Sequence, residues 1–428
     1  MNKNFSIRKL SRRDFIKLGA QGALLGTLAN ALPAVAGQLT QPRASRGAAA
    51  MSSVAKPVAR PLAAPPVFMR FAATDNMTDI FLPARTDPLY IFGFVEVPVG
   101  APIDDLDIYK GAVQMPSPIL AIPQETDFYL TMTNLGFVGR PDLDDSHTIH
   151  WHGFRNPIAL FDGVPEVSIA VPVARNFPYF YRPHDPGTYM YHCHFEDSEH
   201  VQMGMDGIVF VRPLQDGTAL GGFTKFAYND GDGSTGFDRE WALLLNEIDE
   251  RPHDGLLAVQ EFVWSDYNPS YWIINGRAYP HTVLPNNDPA LPKQPISSLI
   301  QINAGERGLL RFANLGYEQH AMQMPGIAMK VVGEDATLLR GPAGADLSYM
   351  TTTLYIGPGE ARDVLFTAPA YVGPGPYDTY LLKNRSYHKL VNGSDTGHPD
   401  YAPGGMMTEV RVYPAGTLPA QSVPNETF

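Results

Sequence analysis

Apolar and polar residues alternate along this chain in short runs, and each run ends at a Gly, Pro, Asn or Asp cluster. Val, Ile, Tyr and Phe dominate the runs, and no long stretch carries the 3.6-residue period of an amphipathic helix, so the pattern predicts an all-β protein. One run occurs twice. Phe128-Tyr129-Leu130-Thr131-Met132-Thr133-Asn134-Leu135-Gly136 in the first half is echoed by Gly308-Leu309-Leu310-Arg311-Phe312-Ala313-Asn314-Leu315-Gly316 in the second. A repeat of this kind predicts two similar units, and short strands between turns make two tandem Greek-key β-sandwich domains the expected fold. The expected domains span 66–213 and 237–415, joined by the loop-like LQDGTALGGFTKFAYNDGDGSTG segment.

The pattern fails at the N-terminus. Arg12 and Arg13 are followed by an apolar, Gly- and Ala-rich run from Leu18 to Leu32 and by Ala34-Val35-Ala36, an A-x-A cleavage signal. Residues 1–36 therefore read as a twin-arginine export signal, cut after Ala36. The apolar run is too short for a spanning helix, so no membrane span is expected in the mature chain. Residues 37–65, rich in Ala, Pro and Ser, read as a flexible tether. Export places the protein in the periplasm or beyond. The formal charge is −12, and removing the six basic residues and one acidic residue of the leader takes it to −17. Such a balance argues against nucleic acid as a partner and suits cationic ones.

Chemistry concentrates in two short windows. Tyr191 to Met205 reads YHCHFEDSEHVQMGM and holds the sole cysteine, Cys193, between His192 and His194, with His200 and Met205 following. Ser146 to Gly153 reads SHTIHWHG and adds His147, His150 and His152, so six of twelve histidines fall around one thiol. Thiolate, imidazole and a late thioether are the ligands of a blue-copper site, a His₂Cys centre with a weak axial Met. On strands, residues two apart share a face. His150 and His152 then point one way and His147 the other, while His192 and His194 face away from Cys193. Two metal environments on opposite sides of one strand pair follow. Zinc is the rival metal, but structural zinc sites want further thiolates, and the chain has none. A lone cysteine in an exported protein forms no internal disulfide, and metal ligation explains it. His184, His253 and His281 read as surface or satisfied core residues, and Glu196, Asp197 and Glu199 as a solvated loop beside His200, with attraction of a cationic donor as the alternative.

The HxxHxHG and HCH…H…M pair resembles the copper motifs of the multicopper oxidases, the laccase and ascorbate oxidase family built from cupredoxin domains, and the likeness runs over nearly the whole chain after the leader. By position the resemblance implies His147, Cys193, His200 and Met205 as type 1 copper ligands, with Met203 as a competitor for the axial place. It implies His150, His152, His192 and His194 as type 2 and type 3 copper ligands. Five residues separate His194 from His200, a longer loop than in laccases and a shorter one than in the nitrite reductases of the same superfamily. The implied activity is one-electron oxidation of a phenolic or metal-ion donor coupled to dioxygen reduction. The alternatives are a periplasmic blue-copper electron-transfer or copper-binding protein and a nitrite-reductase-like enzyme. The family's trinuclear cluster takes eight histidines, and two-domain members build it between the subunits of a homotrimer. In the second half Gln323 and Pro325 stand where His150 and His152 stand in the first, leaving at most His320, His388 and His398 as further ligands.

Overall fold

The computed structural model describes residues 65–393 and 402–428. The expected leader, almost all of the expected tether, and His398 lie outside them. First-half strands are β1 (Val67–Ile80), β2 (Leu89–Glu96), β3 (Leu120–Pro123), β4 (Phe128–Asn134), β5 (His150–His152), β6 (Arg175–Tyr181), β7 (Gly187–His192) and β8 (Asp206–Arg212). They form two four-stranded sheets, ordered β2-β1-β4-β6 and β3-β8-β7-β5. The second half supplies β9 (Arg239–Ile248), β10 (Tyr271–Ile274), β11 (Ile300–Asn303), β12 (Arg307–Asn314), β13 (His320–Gln323), β14 (Met329–Glu334), β15 (Thr337–Leu338), β16 (Tyr349–Thr351), β17 (Leu354–Ile356), β18 (Ala361–Thr367), β19 (Asp378–Asn384), β20 (Val391–Asn392), β21 (Ala402–Pro403) and β22 (Met407–Tyr413).

The all-β expectation holds, and the two halves share a frame. The path β10-β9-β12-β18 repeats β2-β1-β4-β6, and β11-β22-β19-β13 repeats β3-β8-β7-β5. Even the parallel pairs recur, β1 with β4 and β9 with β12, β3 with β8 and β11 with β22. The sequence repeat marks the same turn in both: the Asn134 side chain accepts from Gly136 N at 2.9 Å, and Asn314 accepts from Gly316 N at 3.0 Å.

Strand period explains how the sandwiches meet. Along β8, Val209 and Val211 enter the first core while Ile208 and Phe210 turn to the other face. Along β9, Leu243 and Leu245 enter the second core while Ala242 and Leu244 turn away. The outward sets, with Met190, Ala313 and Ala361, pack on each other as one apolar seam. Strands buried on both faces read as continuous apolar runs rather than alternating ones, which is how β8 and β9 appear in the sequence.

A polar network crosses the seam. Asp363 on β18 accepts from Thr188 N at 3.2 Å, Thr188 Oγ1 at 2.6 Å and Tyr228 Oη at 2.6 Å, and Arg311 lies 3.3 Å away while also holding Glu240 at 2.9 Å. Arg311 and Asp363 are fully buried, so removing Asp363 leaves Arg311 with Glu240 alone and deprives Thr188 and Tyr228 of their buried acceptor. Asp363→Ala should lower unfolding free energy by about 3–5 kcal/mol. Urea melts of the two proteins check this, and a loss below ~1 kcal/mol would show that the network adds little.

Candidate metal centre

Register alone sorts the candidate ligands. Paired residues share a face, and β5 pairs with β7 as His150 with His192, Trp151 with Tyr191 and His152 with Met190. Met190 faces the seam, so the three histidines lie on the side turned toward the second sandwich. Trp151, Tyr191 and Cys193, one residue out of phase, enter the first core.

On the core side, Cys193 Sγ lies 3.3 Å from His200 Nδ1 and 3.9 Å from His147 Nδ1. All three residues are fully buried, and one ligand atom from each lies within 4.8 Å of the others. Thr148 N–H donates to the sulfur at 3.4 Å. Met205 is tied to this group through its backbone. Cys193 N donates to Met205 O at 3.0 Å, and Met205 N donates to His200 O at 2.9 Å. Met203, equally buried, has its carbonyl held by Phe92 N instead.

His200 is delivered by an element that strand and turn patterns do not announce. The acidic segment expected to be a loop is a short helix, α1 (Asp197–Gln202), entered through Glu196 in the left-handed region at φ 47°. Asp197 and Glu199 sit in its first turn, where the helix dipole favours anions. This turn takes up the extra residues between His194 and His200. Glu199 is half-buried, and burial raises its carboxyl pKa. With Asp145, Glu196 and His200 it forms a second group of potential cation ligands.

On the seam side, ring centroids of His150, His152, His192 and His194 lie 5.2–5.9 Å apart in five of their pairs. His150 Nδ1 is 2.6 Å from Asp162 O, and His192 Nδ1 is 2.8 Å from Cys193 O. A carbonyl only accepts, so both Nδ1 atoms carry the proton and both Nε2 lone pairs are free for a metal. The second sandwich closes over His152, because a side chain at Gly359, φ +76°, would stand 3.0 Å from its Nε2. A cavity of about 170 Å³ lies beside it, lined by Gly153, Thr188, Tyr189 and Asp335 among others.

The remaining histidines lie elsewhere. His320 is fully buried in the second sandwich, 3.1 Å from Glu247, so it does not join the histidine face. His388 is exposed, with its ring against Trp272. His253 is a satisfied core residue held by Tyr90 O at 2.7 Å. His184 is a surface residue paired with Glu125, and His281 is half-buried.

The donor set fits a soft transition metal, with the Nδ1 atoms of His147 and His200 both turned to the thiol sulfur. Burial depresses the pKa of His147 strongly and that of His192 to about 3. These two histidines are therefore neutral and ready to ligate at neutral pH. Because the folded pKa of His192 lies below its unfolded value, its contribution to apo-protein stability is full above pH 6.5 and is lost as pH falls toward 3. His200 behaves oppositely. Burial opposes its charge, but the Cys193 sulfur and Asp145 outweigh it and hold the pKa up to about 10. A metal binding at the sulfur must displace that proton, so its apparent affinity should rise about tenfold per pH unit up to about pH 10. Competition titrations between pH 6 and 9 on the Cys193 site check this, and a flat profile would contradict the coupling.

Residues 109–216 match the multicopper oxidase family. Over 217 residues the chain is 27% identical to laccase-1 of Cryptococcus neoformans var. neoformans serotype D, covering 48% of this chain and 32% of that protein, so it spans about a third of this relative's length. The fold resembles the blue copper oxidase from Nitrosomonas europaea, with TM-score 0.58, 21% identity, and 82% of this chain and 86% of that one covered. It also resembles the copper nitrite reductase from Nitrosomonas europaea, with TM-score 0.52, 17% identity, and 86% and 98% covered. Copper is the metal these relatives imply for the Cys and His groups. The matched segment holds both histidine windows, and with the laccase relative and the shared cupredoxin fold it makes this chain similar to the multicopper oxidases.

Proposed function

We propose that this chain is a copper-dependent oxidoreductase, taking electrons singly from a small-molecule or metal-ion donor at the Cys193 site and passing them to dioxygen at the histidine face. The observation that carries this reading is the strand geometry at Cys193: its thiol enters one environment while its covalent neighbours His192 and His194 belong to the other. The assigned ligands are His147, Cys193, His200 and Met205 on the core side, and His150, His152, His192 and His194 on the seam side. When bound, copper supplies one-electron redox chemistry at the first set and reduction of the oxidant at the second.

The chain's own residues do the rest. Cys193, His147 and His200 are shut from water, which limits reorganisation around the sulfur. Thr148 N–H and the Asp145 carboxylate, 3.7 Å from His200 Nε2, hold sulfur and imidazole in place. Asp162 O and Cys193 O aim His150 and His192. The cavity beside His152 is large enough for a diatomic oxidant and water. The carboxylates over His200 and the net charge of −12 favour a cationic donor at the entry side.

Among the described residues four histidines face the seam side, and His320 is committed elsewhere. Further ligands then come from a neighbouring copy in a homotrimer, with His388 exposed on its surface, or the centre holds fewer metals. The second possibility favours a nitrite-reductase-like enzyme or a blue-copper carrier. Copper analysis with optical and EPR spectra decides. Four coppers per chain with oxygen turnover support the oxidase, one copper with only a blue signal makes the chain a carrier, and turnover of nitrite alone makes it a reductase. Export by the twin-arginine route completes the proposal, and replacing Arg12 and Arg13 by Lys should retain the protein in the cytoplasm. Among the described residues no helix is long and apolar enough to cross a membrane.

A further inference from the structure

The frame shared by the sandwiches allows the Cys193 site to be traced in the second one. Cys193 follows β7 and donates its N–H to Met205 O, just before β8, at 3.0 Å. Asn384 ends β19 and donates its N–H to Met406 O, just before β22, at 2.9 Å. Asn384 thus stands for Cys193 and Met406 for Met205. His147 precedes β5 with its Nδ1 toward Cys193 Sγ, and His320 opens β13 with its Nδ1 3.3 Å from Asn384 Nδ2. His320 therefore stands for His147.

What stands for His200 and the metal together is Lys389. It is 5% exposed, and its Nζ lies 2.7 Å from Glu318 Oε2, 2.8 Å from Gln319 O and 3.4 Å from His320 Nδ1. Nε2 of His320 is 3.1 Å from the acceptor Glu247, so it carries the proton, and the Nδ1 lone pair points at the ammonium. Asn384 Nδ2 also reaches Met406 Sδ at 3.3 Å. Imidazole lone pair, thioether sulfur and a strand-end side chain thus cluster as in a blue-copper pocket, and the cation at the imidazole is the chain's own. Two donors, an ammonium and an amide, fill the space a thiolate and a metal need.

We infer that the second sandwich carries a second type 1-like copper pocket, framed by His320, Asn384 and Met406 and occupied by the Lys389 ammonium in place of the metal ion. The pocket takes a soft transition metal once the ammonium is removed and a thiolate supplied.

The test uses the full chain carrying Cys193→Ser, so that the first site contributes no thiolate. Adding Asn384→Cys with Lys389→His should bring one further Cu(II) per chain and a thiolate-to-copper charge-transfer band, both lost when position 384 is Ser. A variant that folds like its parent by circular dichroism and shows no such band overturns the inference. Should that variant not fold, Lys389→Ala alone in the same background supplies the test. Vacating the pocket should lower the melting temperature by a few degrees, and Ag(I), held by His320 and Met406, should restore it. No Ag(I)-dependent rise beyond that of the Cys193→Ser parent overturns the inference equally.

Discussion

Cys193→Ser is expected to abolish any blue absorption band and all electron uptake from a donor, while leaving a folded protein that still binds metal at its histidine face. The loss should be complete because a blue-copper band arises from the thiolate, and the sequence holds no second cysteine to replace it. The fold should survive because the new hydroxyl has partners ready: Thr148 N–H, now 3.4 Å from the sulfur, and Phe195 O, now 3.5 Å from it. With both satisfied, the stability cost should stay within about 1–3 kcal/mol. Two hydrophobic cores built from both sheets of each sandwich hold the fold independently of metal, so the metal-free protein should also remain folded. Absorption spectra, stopped-flow reduction and a thermal melt test the three statements together. A variant that stays blue would remove the type 1 assignment, and one that unfolds would show that the metal carries the fold.

The site was readable in the sequence where covalent spacing does the work. The alternation in His192-Cys193-His194 puts thiol and imidazoles on opposite faces of any strand, and the β5–β7 register bears out that side assignment for His150, His152 and His192. The same holds for Asn134 and Asn314, whose local turns recur because each bond spans two residues. What escaped was set by distance along the chain. Helix α1 is six residues long and carries no apolar stripe, so its acidic composition reads as loop, and only packing over His147 and Cys193 shows why it forms. Asp363 looks like a turn residue beside the Gly357-Pro358-Gly359 sequence, yet its partner Thr188 lies 175 positions away. The missing side chain at Gly359 is what lets the second sandwich approach His152. By residue type His320 is a candidate ligand, and its commitment to Glu247, 73 positions distant, appears only in three dimensions.

His150→Ala and His192→Ala, made separately, are expected to keep the blue band and its rate of reduction but to cut oxygen consumption by about 10²-fold or more. The magnitude follows from ligand order: removing a group that merely orients a metal ligand costs 10–100-fold, and these residues are assigned as ligands themselves. The blue band should persist because both side chains lie across the strand from Cys193, with Nε2 directed away from the sulfur. His150 is partly exposed and its ring is held through Asp162 O, so truncation there leaves no unpaired buried charge and the fold should be little affected. His192 is 6% exposed, and its loss also frees Cys193 O, so a modest stability cost of about 1 kcal/mol accompanies it. The pair therefore separates electron entry from electron use. If both variants reduce at the sulfur side but no longer consume oxygen, the two environments work in series as assigned. If oxygen consumption survives both changes, the oxidant is reduced somewhere other than the histidine face, and the role of His150, His152, His192 and His194 falls. If the unaltered chain consumes none while its blue band cycles normally, Cys193 serves an electron carrier, and the four histidines keep their geometry without turnover.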